Sequence, residues 1–217
     1  MTKRLVKGLD FLARNEYSFR DTMTPRTAPH GSEDKHQAIL DAALALFVER
    51  GFHGTAVPLV AEKAGVGAGT IYRYFDSKEA LVNELYRNLK RDLTAHILTD
   101  FPAQAPARQQ FHAFWSRLSS WVDAHRDAFA FLELHSHRAY LDTESRAVEK
   151  QLMELGASFL RFTQSKGEVK QIDPMVLISV VFGAFVCLVR MGWEGKLDLT
   201  PEAIAAGEQC AWEAIRA

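Results

Sequence analysis

Residues 55–78 read TAVPLVAEKAGVGAGTIYRYFDSK. The stretch divides into two short helical runs joined by Gly65-Val66-Gly67, with a further helix starting beyond Ser77. Thr55 reads as the N-cap of the first run, and Pro58 falls in its first turn, where a missing N–H costs little. Val57, Val60, Ala61 and Val66 can seat the pair against Phe47 of the preceding helix, and Ala61 is small where the two runs must approach closely. In the second run, 68–74, Ile71 and Phe75 lie four apart and face inward. Thr70, Tyr72 and Arg73 are left outside. Two short helices with a glycine turn and a polar outer face form a helix-turn-helix, a shape that fits a major groove.

The same 3.6-residue period extends in both directions. Upstream, Ser32 reads as an N-cap, with Glu33 and Asp34 complementing the positive helix end. Ile39, Ala42, Ala43, Leu46 and Phe47 share one face, and Gly51 closes the helix. Downstream, Ser77 caps a long helix that ends near Leu98, before Pro102. Three apolar stripes follow: one from Phe111 to Val122, one through Phe129, Leu132 and Ala139, and one from Val148 to Phe162. Asp173-Pro174 and Thr200-Pro201 pair an N-cap with a proline to start two final helices. No segment alternates apolar and polar residues as a strand would. The expectation is an all-α protein of about nine helices. Its parts are a tail (1–31), a helix-turn-helix domain (32–78), a connecting helix (79–101) and a C-terminal domain (102–217).

Composition excludes several classes. The chain has 217 residues, 47% hydrophobic and 24% charged, with a formal net charge of -1. A uniformly basic nucleic-acid-coating protein is ruled out, although a local DNA-binding face is not. Cys187 and Cys210 are too few for a disulfide scaffold or a Cys-based zinc finger. They read as buried, reduced thiols. The longest apolar run, Val176–Val189, is shorter than the roughly 20 residues that cross a bilayer and reads as a buried core helix, so no membrane contact is expected. The N-terminus lacks a signal-peptide run, which points to the cytoplasm. Met23 is a second candidate start. The tail carries Lys3, Arg4, Lys7, Arg14, Arg20 and Arg26, making it either a solvated end or a DNA-contacting arm.

The run ILDAALALFVERGFHGTAVPLVAEKAGVGAGTIYRYFDSKEAL resembles the DNA-binding domain of TetR/AcrR-type transcriptional regulators. The RGF turn, the AxxAGV turn, the GTIYRYF helix and SKEAL occur in order at the family's spacing. The resemblance is close over about residues 36–90 and continues as a helical layout to the C-terminus. It implies that Thr55 approaches a phosphate. Thr70 and Tyr72 would meet a base edge and a phosphate, Arg73 either one, and Lys78 a phosphate. Tyr74 serves either contact or packing. Ala56 stands where the family often has Ser or Thr, and Gly67-Ala68 replaces a polar pair. Ala68 can touch a thymine methyl but cannot hydrogen-bond a base. Gly67 and Gly69 allow close approach of the backbone to DNA.

The resemblance also implies a helical regulatory domain that binds a small molecule and dimerises. Aromatic residues are plentiful there, which suits a hydrophobic or aromatic ligand. His112, Trp115, Glu133, His135, Phe159 and Phe182 are the pocket candidates. Small residues recur every three or four positions in the last two helices: Ser179, Gly183 and Cys187, then Ala203, Gly207 and Cys210 or Ala211. That spacing allows helices of a homodimer to pack into a four-helix bundle, which would present two recognition helices to a palindromic operator. No metal set, catalytic constellation or cofactor motif is visible, so neither an enzyme nor a cofactor is expected. The expected function is a ligand-responsive, sequence-specific transcriptional regulator, a repressor released by a small hydrophobic molecule. The alternative is a helix-turn-helix scaffold controlled by a protein partner, with Trp193 and Trp212 exposed as anchors.

Overall fold

Nine α-helices account for most of the computed structural model, which describes residues 31–217. They are α1 (Ser32–Gly54), α2 (Val57–Ala64), α3 (Ala68–Tyr74), α4 (Lys78–Leu98), α5 (Ala107–Ala124), α6 (Arg126–Phe129), α7 (Thr143–Ser165), α8 (Pro174–Trp193) and α9 (Pro201–Ile215). A π-helical turn, Ala130–Leu134, follows α6 directly. The one β-type pairing among the described residues is an isolated bridge between Val169 and Arg216. The expected tail, with its candidate arm, lies outside the described residues.

Two compact units divide the chain. The first contains 31–93 and 122–148, and the second contains 94–121 and 149–217. Residues 122–148 join the helix-turn-helix unit, because Phe131 packs on Phe47 of α1 and Tyr140 stacks on Phe52 at 4.1 Å.

In the helix-turn-helix unit α1 packs on α2, and Ile39, Leu40, Ala43 and Phe47 of α1 are buried, as are Val60, Ala61 and Ile71. Gly51 adopts φ 68, and the chain turns there into Phe52. Gly65 closes α2 in the left-handed conformation, φ 66, which favours glycine. The capping pattern departs from expectation at both ends of this segment. Ser32 is not the N-cap of α1. Gly31 holds that position and Asp34 accepts its N–H, which frees the Ser32 hydroxyl for Tyr74. Ala56, not Thr55, caps α2. Ser77 does cap α4, accepting the Ala80 N–H at 3.1 Å.

The stripe Phe129–Ala139 is not one helix. The chain leaves the π turn at His135 in extended geometry. The buried His137 ring meets the Phe131 carbonyl oxygen, and Asn83 of α4 holds the next turn. Its amide donates to Tyr140 O and its carbonyl accepts the Asp142 N–H, both at 2.8 Å. These local polar bonds win over helix propagation.

In the second unit α8 packs on α9, with Leu177, Val181, Phe185 and Val189 buried along one side. Arg117 of α5 donates to the carbonyl oxygens of Ile97 and Asp100, at 2.8 and 3.0 Å, and also to that of Thr99. It thereby caps the C-terminal end of α4. Helix α8 corrects two expectations. Its 20 residues are, by length and composition, enough to cross a membrane, because the helix extends beyond the Val176–Val189 run. It is also not a buried core helix, since only 22% of its most apolar window is covered within the chain.

Candidate nucleic-acid interface

Helix α3 presents a single open face. Ile71 is buried and Phe75 closes the helix from inside. Ala68, Gly69, Tyr72 and Arg73 are exposed at positions one turn apart, and Thr70 is half-buried in the first turn. Tyr72 is 57% exposed. Gly67 has φ -66, a conformation open to any residue, and an added Cβ at Gly69 would meet nothing within 4 Å. Neither glycine is required by the fold.

Three contacts hold this face rigidly. The Tyr74 hydroxyl donates to Ser32 O and meets Ser32 Oγ, both at 3.0 Å, which fastens the end of α3 to the start of α1. Tyr74 thus takes part in packing. His36 stacks on Phe75 and places Nε2 2.7 Å from the Glu84 carboxylate on α4. Lys78 donates to Phe52 O at 2.8 Å and Thr55 O at 3.0 Å, with its ammonium 4.1 Å from the Phe52 ring.

The last contact corrects an expectation. Lys78 was expected to reach a phosphate, but its ammonium is turned inward, where it satisfies the carbonyl end of α1. The same holds for Thr55. It is fully buried, and its hydroxyl donates to Leu46 O and Gly51 O at 3.1 and 2.8 Å. No side-chain hydrogen bond is left for a phosphate. Both residues were singled out from their place in the motif, which does not reveal the direction of a side chain. Phe52 and Asn83 were missed. The RGF turn pointed to Phe52, but only as a turn residue, and Asn83 looks like an ordinary polar residue on a helix.

The pocket candidates are divided between the two units. His112, Trp115, Phe159 and Phe182 belong to one unit, and Glu133 and His135 to the other. The Glu133 carboxylate pairs with the buried Lys90 ammonium at 2.7 Å. His112 is exposed and its Nδ1 lies 2.9 Å from Glu208. Trp115 is 1% exposed, enclosed by Phe111 and Phe185, and its indole N–H has no hydrogen-bond partner among the described residues. Burial lowers the His137 pKa, with the Phe131 carbonyl opposing and the His135 charge assisting. Among the described residues no group of three His, Cys, Asp or Glu side chains is placed to hold a metal ion.

The small-residue stripes separate into two kinds. Ser179, Gly183 and Cys187 are exposed, on the same helix as the exposed Met175, Val176 and Val180. On α9, Cys210 is exposed and Ala203 half-buried. Gly207 and Ala211 face inward, which corrects their assignment to a dimer surface. A Cβ on Gly207 would stand 2.8 Å from Leu188 Cδ2 and 3.3 Å from Trp115 Cζ2, and Ala211 is buried. These two residues let α9 approach α5 and α8 within one chain. The cysteines are likewise exposed, not buried. Trp212 is buried against Phe111, so it offers no exposed anchor for a partner protein.

Known proteins share this arrangement. Residues 39–85 match the description "Bacterial regulatory proteins, tetR family", and residues 86–217 match "Tetracyclin repressor-like, C-terminal domain". The HTH-type transcriptional repressor KstR2 of Rhodococcus jostii (strain RHA1) is 30% identical over 146 residues, which cover 62% of this chain and 72% of that protein. A TetR family transcription regulator from Marinobacter aquaeolei VT8 has the same fold, with a TM-score of 0.76 and 23% identity over 85% of this chain and 96% of that one. The transcriptional regulator FadR from Bacillus subtilis, solved in complex with stearoyl-CoA, also shares the fold. Its TM-score is 0.67 at 22% identity, covering 82% of this chain and 96% of that one. With both family descriptions matched end to end from residue 39, and an open recognition helix at the expected place, the chain belongs to the TetR family of DNA-binding transcription regulators.

Proposed function

We propose that the protein is a cytoplasmic repressor that binds a palindromic operator as a homodimer and leaves it when a small hydrophobic molecule binds the C-terminal half. The observation that carries the DNA reading is the outer face of α3, where Ala68, Gly69, Tyr72 and Arg73 stand exposed on a helix anchored from within. Since the fold requires neither Gly67 nor Gly69, close approach to a nucleic-acid backbone is the use that explains them. Thr70 reads a base edge and Tyr72 and Arg73 reach phosphate or base. The dimer reading rests on α8, whose bare side carries Ser179, Gly183 and Cys187 among exposed valines and methionines. A second copy of the same helix is the natural cover.

The ligand is an apolar molecule with a hydrogen-bond acceptor. A buried donor left unpaired costs about 1–3 kcal/mol, and the Trp115 indole N–H is such a donor beside aromatic rings. An acyl group, with its chain and carbonyl, has both features, in keeping with the stearoyl-CoA bound to FadR. The test begins with selecting operator DNA from a random library with the whole chain. The complex is then titrated with stearoyl-CoA while tryptophan fluorescence is followed. Release of DNA together with a fluorescence change, both weakened in Trp115→Phe, is expected. Enrichment of no sequence from the library would overturn the DNA reading. DNA binding indifferent to acyl compounds would overturn the ligand class alone.

A further inference from the structure

One face of α5 carries a hydroxyl and an imidazole one helical turn apart. His112 and Ser116 are four residues apart, so their side chains are neighbours on the helix surface. Both are exposed. The Ser116 hydroxyl stands 3.5 Å from His112 Nε2. The other ring nitrogen, Nδ1, lies 2.9 and 3.0 Å from the two carboxylate oxygens of Glu208 on α9. Glu208 is buried, and Arg108 of α5 donates to the same carboxylate. All four residues belong to one unit of the chain.

The carboxylate fixes which ring nitrogen holds the proton. A carboxylate paired with an arginine only accepts hydrogen bonds, so Nδ1 donates to Glu208. In the neutral ring Nε2 then keeps its lone pair, and that lone pair faces the Ser116 hydroxyl. A hydroxyl, an imidazole and a carboxylate in this order make an activated nucleophile, known by geometry and role and not by fold. The 3.5 Å separation is long, but such bonds often tighten only once substrate is in place. The other serines of α5 are engaged differently. Ser119 and Ser120 donate to the carbonyl oxygens of Trp115 and Arg117, at 2.9 and 3.0 Å. Ser120 also lies 3.0 Å from His96 Nε2, but its own proton is directed at Arg117.

Ser116 sits well inside α5, where the backbone N–H groups belong to the helix ladder. They cannot serve as an oxyanion hole, so the relay suits only acyl groups that carry a good leaving group. We propose that Ser116 is an acylation site that takes the acyl group of an activated ester or thioester, with His112 as base and Glu208 as the positioning residue that orients the ring. Ser116 Oγ attacks the acyl carbonyl carbon, and its proton passes to His112 Nε2. The bond from that carbon to the leaving oxygen or sulfur breaks. The electron pair goes with the leaving atom, which takes the proton from His112. The products are an acyl ester on Ser116 and a free alcohol or thiol. Neither the outer face of α3 nor the buried Trp115 donor takes part.

The test treats the whole chain with p-nitrophenyl acetate and follows acetylation residue by residue with peptide mass spectrometry, using circular dichroism as a check on folding. A positioned base contributes about 10²–10⁴-fold, so Ser116 should be acetylated at least about tenfold faster than Ser120. His112→Gln should slow acetylation of Ser116 by a similar factor. Glu208→Gln should slow it as well, and Glu208→Asp should recover part of that loss. Both His112 and Ser116 are exposed, so changes there leave the core intact. Acetyl groups on lysines and on the exposed Cys187 and Cys210 are resolved by their positions. Acetylation of Ser116 no faster than that of Ser120, or equally fast in His112→Gln, would overturn the site. Equal rates in Glu208→Gln and the parent would overturn the role of Glu208.

Discussion

The helix-turn-helix and helix α8 are both strongly apolar, but they dispose of apolar surface in opposite ways. Helix α1 turns Ile39, Leu40, Ala43 and Phe47 inward until almost nothing of them is exposed. Helix α8 is the most apolar helix of the chain, yet it leaves Met175 at 48%, Val176 at 49% and Val180 at 44% exposure. In the first case the neighbours α2 and α3 are supplied within a few residues of sequence. In the second, α9 covers one side and the described residues leave Met175, Val176 and Val180 uncovered. An apolar residue therefore indicates that burial is favourable, at roughly 25 cal/mol per Å², but does not say which molecule provides the cover.

The largest effect that can break this comparison comes from truncation at each site. Phe47→Ala should cost about 3–5 kcal/mol in thermal or urea unfolding, because the ring is enclosed and leaves a cavity. Val180→Ser should barely change unfolding of the isolated subunit, and should shift sedimentation from dimer to monomer. If Val180→Ser destabilises the subunit as much as Phe47→Ala does, the α8 face is not an open interface.

Glycine substitutions sharpen the same contrast. Gly207→Leu should cost about 1–3 kcal/mol by overpacking against Leu188 and Trp115. A Cβ added at Gly183 meets nothing within 4 Å among the described residues, so Gly183→Leu has room within the subunit. It should keep or raise subunit stability while weakening self-association. Dimers of Gly183→Leu that persist at nanomolar concentration would place the subunit contact elsewhere on the surface.

Lys78→Met tests the inward-facing ammonium. It removes two hydrogen bonds to carbonyls and a cation–π contact, so a loss of about 1–3 kcal/mol in stability is expected. The salt slope of DNA binding should not change, since a phosphate contact is not being removed. A slope shallower by about 2 for the dimer would return Lys78 to the interface.

These cases show what was legible in the sequence. The period of apolar residues located eight of the nine α-helices closely, because helix formation is local and one buried stripe is enough to mark it. The stripe through Phe129 and Ala139 misled because the buried His137 and the bonds from Asn83 compete with the helix, and Asn83 lies 57 residues from Tyr140 in sequence. The recognition helix was legible because its two faces differ in polarity. The roles of Thr55, Lys78, Gly207 and Ala211 were not, because each depends on which way a residue points once the helices have packed. A stripe of small residues reads the same whether it faces its own chain or a second copy.

The smallest expected effect is a dependence on pH, and it should fall on the helix-turn-helix unit. His137 is buried there, with Nδ1 3.0 Å from the Tyr140 hydroxyl. Burial is the main cause that holds its pKa below the ordinary 6.5. Nearby Lys90 and His135 push the same way, while the Phe131 carbonyl and Glu133 oppose them. An unfolded chain thus takes up a proton near pH 6.5 that the folded chain resists. Stability is full above that pH and falls as pH drops below it, towards the lowered folded value. Asp142 behaves as a control in a separate window. Burial opposes its ionisation, but hydrogen bonds from Ser145 and Arg87 outweigh that and hold its carboxyl below the ordinary 3.8, so its contribution is lost only in stronger acid. Urea unfolding of the parent and of His137→Gln should be followed between pH 8 and pH 5.5 by far-ultraviolet circular dichroism. The four tryptophans all lie in the other unit, so their fluorescence would miss the change. The parent should lose stability over this interval and the variant should lose less. Equal slopes would mean that His137 titrates alike in both states, and that its burial carries no electrostatic cost.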